Sequence, residues 1–184
     1  MAVEVVGYDP AWPARFEAVA ARLRAALDEA GLGEQASVEH VGSTSVPGLA
    51  AKPVLDIDVI VAAPDVPRAV VALERIGYVH RGDLGVTGRE AFLPPDDDPR
   101  RHVYVCEAGT LHVRNHLAVR EVLRRREDLR EAYAAVKRSL AEDPGMTIER
   151  YITEKSAVLQ EVLADSDLTE AERELIRRLN DLTG

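Results

Sequence analysis

The sequence predicts an α+β fold, a mixed β-sheet covered by helices, with a helical C-terminal region beginning near residue 110. Three observations carry this expectation. Residues 54–61, VLDIDVIV, form an apolar run rich in β-branched side chains, the pattern of a buried strand. Three short alternating segments, 78–81, 89–93 and 101–106, are divided by Gly82, Gly85, Gly88 and a loop holding Pro94, Pro95 and Pro99, so they read as antiparallel strands. From Thr110 onward the apolar residues recur at helical spacing.

In chain order, residues 3–6 are a short strand candidate, and Asp9 followed by Pro10 supplies a helix cap. Trp12, Phe16, Val19, Leu23 and Leu27 then form one core-facing stripe, which Gly31 ends. An aromatic could stack on a base, but the place of Trp12 in that stripe assigns it to the core. Residues 36–41 read as the next strand, with Glu39 and His40 on opposite faces.

A turn of small residues follows, Gly42-Ser43-Thr44-Ser45, where a glycine at positive φ lets backbone amides and hydroxyls crowd an anion. We read Gly42, Ser43 and Thr44 as a phosphate cradle. His40, immediately before the turn, would contact phosphate, orient the turn or be a buried histidine bonded to backbone. Lys52, four residues before Asp56, would meet phosphate as a point charge or lie solvated at the surface.

Asp56 and Asp58 interrupt the apolar strand. Side chains alternate along a strand, so the two carboxylates share a face with Cα atoms roughly 6.6 Å apart. Two like charges on a buried strand resist ionisation unless a cation compensates them. A divalent metal does so, and Mg²⁺ favours a few carboxylates together with phosphate oxygens. The competing structural assignment puts both aspartates at the solvent end of the strand or pairs them with arginines.

Beyond this strand, Asp65 caps a helix whose stripe is Val66, Ala69, Val70, Leu73 and Ile76, with Gly77 as the stop. Asp96, Asp97 and Asp98, set among prolines, read as a solvated hairpin tip. In the segment 101–106, His102 and Tyr104 share one face and could hold a nucleotide or substrate. His112, His116 and Arg120 recur every fourth residue of the first C-terminal helix and share a face. His112-x-x-x-His116 is a zinc spacing, but the sequence places no third ligand near it. A second helix over 128–141 turns Leu129, Tyr133, Val136 and Leu140 inward. A third follows Thr147, and Tyr133/Lys137 and Tyr151/Lys155 each lie on one helical face. The last helix, 167–182, carries Leu168, Ile176, Leu179 and Leu182, and would pack on the domain or mediate self-association as a homodimer.

At 184 residues the chain suits one domain. Its 23 Lys and Arg against 32 Asp and Glu give a net charge of −9, which argues against nucleic acid or an anionic membrane as a partner. Cys106 is the single cysteine, so an internal disulfide is excluded and a reducing, cytoplasmic setting is expected. The N-terminal residues lack the pattern of a signal peptide, and no apolar run approaches membrane-spanning length.

Gly-Ser followed about a dozen residues later by Asp-x-Asp on a strand resembles the nucleotidyltransferase, or polymerase-β-like, superfamily. Within it, His40-Val-Gly-Ser-Thr-Ser-Val-Pro-Gly-Leu-Ala-Ala-Lys-Pro with Asp56-Ile-Asp58 resembles the bacterial GrpB (UPF0157) family. The resemblance takes in Tyr8-Asp-Pro-Ala-Trp-Pro, His116-Leu-x-x-Arg120, Tyr133-x-x-x-Lys137 and Tyr151-x-x-x-Lys155. It covers residues 1–164 as one nucleotidyltransferase-like domain and leaves 165–184 as an additional C-terminal helix. The resemblance implies a nucleoside triphosphate bound with Mg²⁺, held by Asp56 and Asp58 as catalytic metal ligands, and a small-molecule acceptor. It also implies that His116, Arg120, Lys137, Tyr151 and Lys155 face substrate. A module that keeps the pocket without the chemistry is the alternative on the same fold. Two departures bear on this: the family tends to His-x-His where this chain has His102 and Tyr104, and the superfamily's third carboxylate has only Glu90 and Glu107 as candidates.

Overall fold

The computed structural model describes residues 4–143, 145 and 147–182, without the side chains of 148, 149, 151–153 and 180–182. Helix α1 (Trp12–Glu29) leads into strand β1 (Ser37–Val41), and a short 3-10 turn (Ser43–Ser45) and a connector precede β2 (Leu55–Val61). Helix α2 (Val66–Arg75), β3 (Val79–His80), β4 (Arg89–Leu93) and β5 (Arg101–Glu107) complete the α+β half. Four helices follow: α3 (Leu111–Arg125), α4 (Glu127–Ala141), α5 (Ile148–Ala164) and α6 (Glu170–Leu182).

The sheet order is β1-β2-β5-β4-β3, so β2 is internal. β2 pairs antiparallel with β1 and parallel with β5, while β4 runs antiparallel to both β5 and β3. The expected mixed sheet is therefore present, and the crossover from β2 to its parallel neighbour carries α2.

One face of the sheet presents Ile57, Val59, Val103 and Val105 to α1 and α2, whose Trp12, Phe16, Leu23, Leu27 and Leu73 complete the main core. All five residues of the α1 stripe are buried, because three- and four-residue spacing aligns them on one side of the helix. The C-terminal helices pack around the connector after the turn. Val46, Leu49 and Ala50 are buried against Val122, Leu123, Tyr133, Ala134, Val158 and Val162. The segment between turn and β2 is thus a core element in its own right. The last helix docks through Ile176, next to Leu159, Leu163 and Leu168; Leu179 is exposed, and the side chain of Leu182 lies outside the described residues.

Local expectations needed adjustment at three places. Residue 3 lies outside the described residues, and the proposed N-terminal strand is reduced to a single bridge between Val6 and Ala51. Asp9 sits before the helix, its Oδ1 accepting from the amide of Ala11 at 2.9 Å. Asp96 is docked by ion pairs with Arg101 at 2.7 Å and Arg22 at 3.5 Å; Arg101, with its side chain almost wholly buried, also donates to the Pro99 carbonyl at 2.8 Å. The register places Arg101 beside Leu55 on the core side, so its guanidinium must find partners there.

Candidate functional site

Sheet register assembles the site. Asp56 and Asp58 share a face of β2; the parallel register sets His102 beside Asp56 and Tyr104 beside Asp58, and β1 contributes Val41 and Glu39 on the other side. Asp58 is fully buried and Asp56 partly so. Each carboxylate accepts a hydrogen bond from a histidine: Asp56 Oδ1 from His102 Nδ1 at 2.9 Å, and Asp58 Oδ2 from His116 Nδ1 at 2.8 Å. Among the described residues no arginine forms an ion pair with either aspartate: Arg101 pairs with Asp96 on the core side of the sheet, and Arg120 with Glu39.

These bonds set the charges of the rings. The hydrogen bond to Asp56 raises the pKa of His102 above the ordinary histidine value, against the pull of burial. Burial pulls His116 down, but the bond to Asp58 and the charges of both aspartates outweigh it and leave its pKa raised. Burial also raises the phenol of Tyr104. Arg89, from β4, lays its guanidinium 4.7 Å from the centre of the Tyr104 ring.

The turn and the acidic pair are in direct contact. Gly42 has φ +68°, and a Cβ there would lie 2.2 Å from Asp56 Oδ2, so the position demands glycine on both counts. The carboxylate is seated where any side chain at residue 42 would go. Ser43 is half-buried at the head of the turn, whereas Thr44 and Ser45 are buried. Thr44 Oγ1 lies 3.0 Å from His40 Nε2 and 3.4 Å from the carbonyl of Val54, and Ser45 donates to the Gly42 carbonyl at 2.6 Å.

Three residues assigned from the sequence to phosphate or substrate have partners inside the protein, and for His40 these match the turn-orienting alternative. Thr44 spends its hydroxyl inside the protein, because the 3-10 turn rotates it toward β1 and the Val54 carbonyl. His40 pairs with Ile57 and therefore faces the core side, stacked on Phe16 at 4.6 Å and 11°. Burial pushes its pKa down to about 4, so the ring is neutral and orients the turn through Thr44. Arg120 donates to Glu39 Oε2 at 2.8 Å and to the His40 carbonyl at 3.0 Å, fastening α3 to β1.

Lysines from three elements act on one another near Asp56. Lys52 of the connector and Lys137 of α4 both feel the Asp56 charge, and Lys155 of α5 acts on both of them. Burial, then Lys155, push Lys137 down to about 7, with Asp56 opposing and Lys52 adding to the fall. Its ammonium donates to the Ala50 carbonyl at 2.5 Å and lies 5.2 Å from the centre of the Tyr133 ring. The side chain of Tyr151 lies outside the described residues. Both candidates for a third carboxylate fall on the wrong side: Glu90 pairs with Val105 and bonds His80 at 2.6 Å, and Glu107 pairs with Val61.

Sequence reasoning left His112 without a third ligand partner, and the structure supplies one from the sheet. His112 and His116 stand with ring centres 4.0 Å apart, and Asp58, His112 and His116 each offer a donor atom within 4.8 Å of the others. His112 also packs edge-on to Tyr104 at 6.0 Å. Local spacing revealed the two imidazoles, but only the fold reveals the carboxylate.

The fold and site together define an α+β protein whose small-residue turn meets its Asp-x-Asp strand at Gly42 and Asp56, with α3 bonded to the same strand through His116 and Asp58. The chain belongs to the GrpB family: the family model described as GrpB protein matches residues 2–165. A UPF0157 protein of Halalkalibacterium halodurans is 37% identical over 169 residues, covering 91% of this chain and 84% of the relative. Another, from Pseudomonas aeruginosa, is 37% identical over 166 residues, covering 88% of this chain and 66% of the relative. The crystal structure of conserved protein GrpB from Enterococcus faecalis matches with a TM-score of 0.72 at 34% identity, covering 88% of this chain and 98% of that one. No helix among the described residues is long and apolar enough to cross a membrane.

Proposed function

We propose that this protein is a cytoplasmic, nucleotidyltransferase-like enzyme that binds a nucleoside triphosphate with a divalent cation, Mg²⁺ in the first instance, and transfers its nucleotidyl group to a small-molecule acceptor. The observation that carries the reading is the contact of Gly42 with Asp56, with Lys52 and Lys137 under the charge of the same carboxylate. Turn, acid and lysines are thus one cluster, as a site for a metal-bound triphosphate requires.

The residues fit a cation. Asp58 Oδ1 is buried and unpaired by the geometric criterion among the described residues, the thiol of Cys106 being only a weak donor to the same carboxylate, and a positive ion beside it would satisfy that oxygen. Asp56 and Asp58 would hold the ion, which when bound neutralises phosphate charge and polarises the phosphorus under attack. The protein's own residues do the rest. Gly42 and Ser43 bring backbone close to the phosphates, while Lys52 and Lys155 add point charges. His102 holds Asp56 in place through its 2.9 Å bond, and His116 does the same for Asp58 at 2.8 Å. Catalysis would rest on positioning and charge neutralisation.

One observation favours a second reading, a ligand-binding module without group transfer. The register positions beside the aspartates on β5 carry His102 and Tyr104, where a third carboxylate would have supported a two-metal site. Thermal shift with ATP, GTP, CTP and UTP, with and without Mg²⁺, tests binding through the stabilisation that a ligand confers by mass action. A rise in melting temperature that needs both Mg²⁺ and nucleotide supports the site, and no response to any of the four sinks it. Pyrophosphate release in the presence of candidate acceptors then separates enzyme from binding module.

A further inference from the structure

We propose that Asp58, His112 and His116 form a binding site for a divalent transition ion of the Zn²⁺ class, distinct in its donor set from a Mg²⁺–phosphate site. The three residues come from β2 and from successive turns of α3, and their donor atoms lie within 4.8 Å of one another. The i, i+4 spacing points both imidazoles to one side of α3, toward the strand that carries Asp58. The 2.8 Å bond between His116 Nδ1 and Asp58 Oδ2 fixes the relative position of two of the three.

Unsatisfied polar atoms mark the same spot. Six buried side-chain nitrogen or oxygen atoms lack a partner among the described residues, and four of them belong to Asp58, Arg89, His112 and Asn115. Leaving such atoms unpaired is costly, so their concentration at one place needs a physical account. An ion between Asp58 Oδ1 and His112 Nε2 provides one for two of them. Arg89, His112, Asn115 and His116 also line a cavity of about 490 Å³ that extends to Leu111 of α3 and Leu175 of α6. The cluster therefore has its own approach, through which water or an oxygen ligand can take a coordination position that the protein leaves open.

The donor chemistry selects the ion. Imidazole nitrogens suit Zn²⁺, Co²⁺, Fe²⁺ and Ni²⁺, whereas Mg²⁺ prefers oxygen ligands and retains its waters. Two histidines, one carboxylate and an open position make up the pattern of reactive metal centres, while closed structural zinc sites use four protein ligands. The inference shares Asp58 with the nucleotide reading but does not depend on it, so the test uses metal alone.

The full-length protein, stripped with EDTA and dialysed, is titrated calorimetrically with Zn²⁺, Co²⁺ and Mg²⁺ in the absence of nucleotide. One equivalent of Zn²⁺ and of Co²⁺ should bind, with Mg²⁺ at least about tenfold weaker. His112→Gln and His116→Gln should each weaken Zn²⁺ binding at least about tenfold and abolish the Zn²⁺-induced rise in melting temperature. Should either variant fail to fold, the wild-type imidazole ¹⁵N resonances serve instead: of five histidines, the pair on α3 should shift with Zn²⁺. Zn²⁺ binding that survives both substitutions, resonance changes confined to His40, His80 and His102, or equal affinity for Mg²⁺ would each overturn the site. Nucleotide-dependent stabilisation in EDTA-treated protein resupplied with Mg²⁺ reports on the other reading separately.

Discussion

His116 Nδ1 donates to Asp58 Oδ2 at 2.8 Å, joining residues 58 positions apart, while the second oxygen of the same carboxylate stays buried and unpaired among the described residues. A carboxylate that satisfies one oxygen from a helix and offers the other to the interior has a built-in direction. The hydrogen bond fixes the rotamer, and the free oxygen faces where a cation would sit. Structure and chemistry therefore meet at the contact between β2 and α3.

The turn gives the first prediction. A Cβ added at residue 42 would lie 2.2 Å from Asp56 Oδ2 at a backbone of φ +68°, so substitution there strikes folding as well as the site. Gly42→Ala should destabilise the protein by about 2 kcal/mol or more through combined clash and backbone strain. Asp56→Ala in the same chain should recover part of that loss, giving a coupling energy of about 1 kcal/mol or more by denaturant unfolding. Strict additivity of the two changes would show that Asp56 is not what Gly42 accommodates.

Arg120 supplies a second. Its guanidinium reaches Glu39 and the His40 carbonyl, so it acts as a clasp between α3 and β1. Arg120→Ala should cost about 1–3 kcal/mol by leaving a partly buried carbonyl and Glu39 unpaired. Arg120→Lys should restore only a fraction, since Nη1 meets Glu39 and the His40 carbonyl while Nε holds Glu121 at 2.8 Å, and a single ammonium cannot serve both donor positions. If urea unfolding leaves both variants within about 0.5 kcal/mol of wild type, the clasp contributes nothing and the arginine is available to substrate.

Much of the fold can be read from the sequence because it is written in local periodicity. The α1 stripe, the β-branched strand around Asp56 and Asp58, and the glycine-divided strands all follow from spacing of two or of three to four. The site was legible where one segment holds it, as with Gly42 and the aspartates. It was illegible where register decides. Alternation placed Glu39 and His40 on opposite faces, but which face carries the acids depends on the pairing of His40 with Ile57, and no local pattern states that. The grouping of Asp58 with His112 and His116 is hidden for the same reason, since it arises from docking α3 across the sheet.

A third prediction concerns acid. Burial lowers His40 from 6.5 to about 4, so between these values the unfolded chain binds a proton that the folded chain refuses. Stability from this group is complete above about pH 6.5 and is lost as pH falls toward 4. His40→Gln should flatten the fall in unfolding free energy over that window. A slope equal to that of wild type would mean that the ring titrates normally and is not held neutral between Phe16 and Thr44.

Lys137 has a depressed pKa of the same kind, and its linkage lies in the alkaline range. Its amine is buried beside Tyr133 and the Ala50 carbonyl, and burial first, then the charges of Lys155 and Lys52, bring it from 10.5 to about 7 against the pull of Asp56. Between those values the unfolded chain holds a proton that the folded chain has released, so stability rises with pH, by up to about 1.4 kcal/mol per pH unit for a single group. Chemical denaturation from about pH 7.5 to about pH 9.5 should show that rise, and Lys137→Met should remove it while keeping most of the side-chain packing. An anion bound beside Lys52, Lys137 and Lys155 would favour the protonated form, so inorganic phosphate should stabilise the wild type more at the lower pH. A Lys137→Met variant with an unchanged pH slope would show that the lysine keeps its proton throughout. Phosphate stabilisation that is indifferent to both pH and this substitution would place the anion elsewhere.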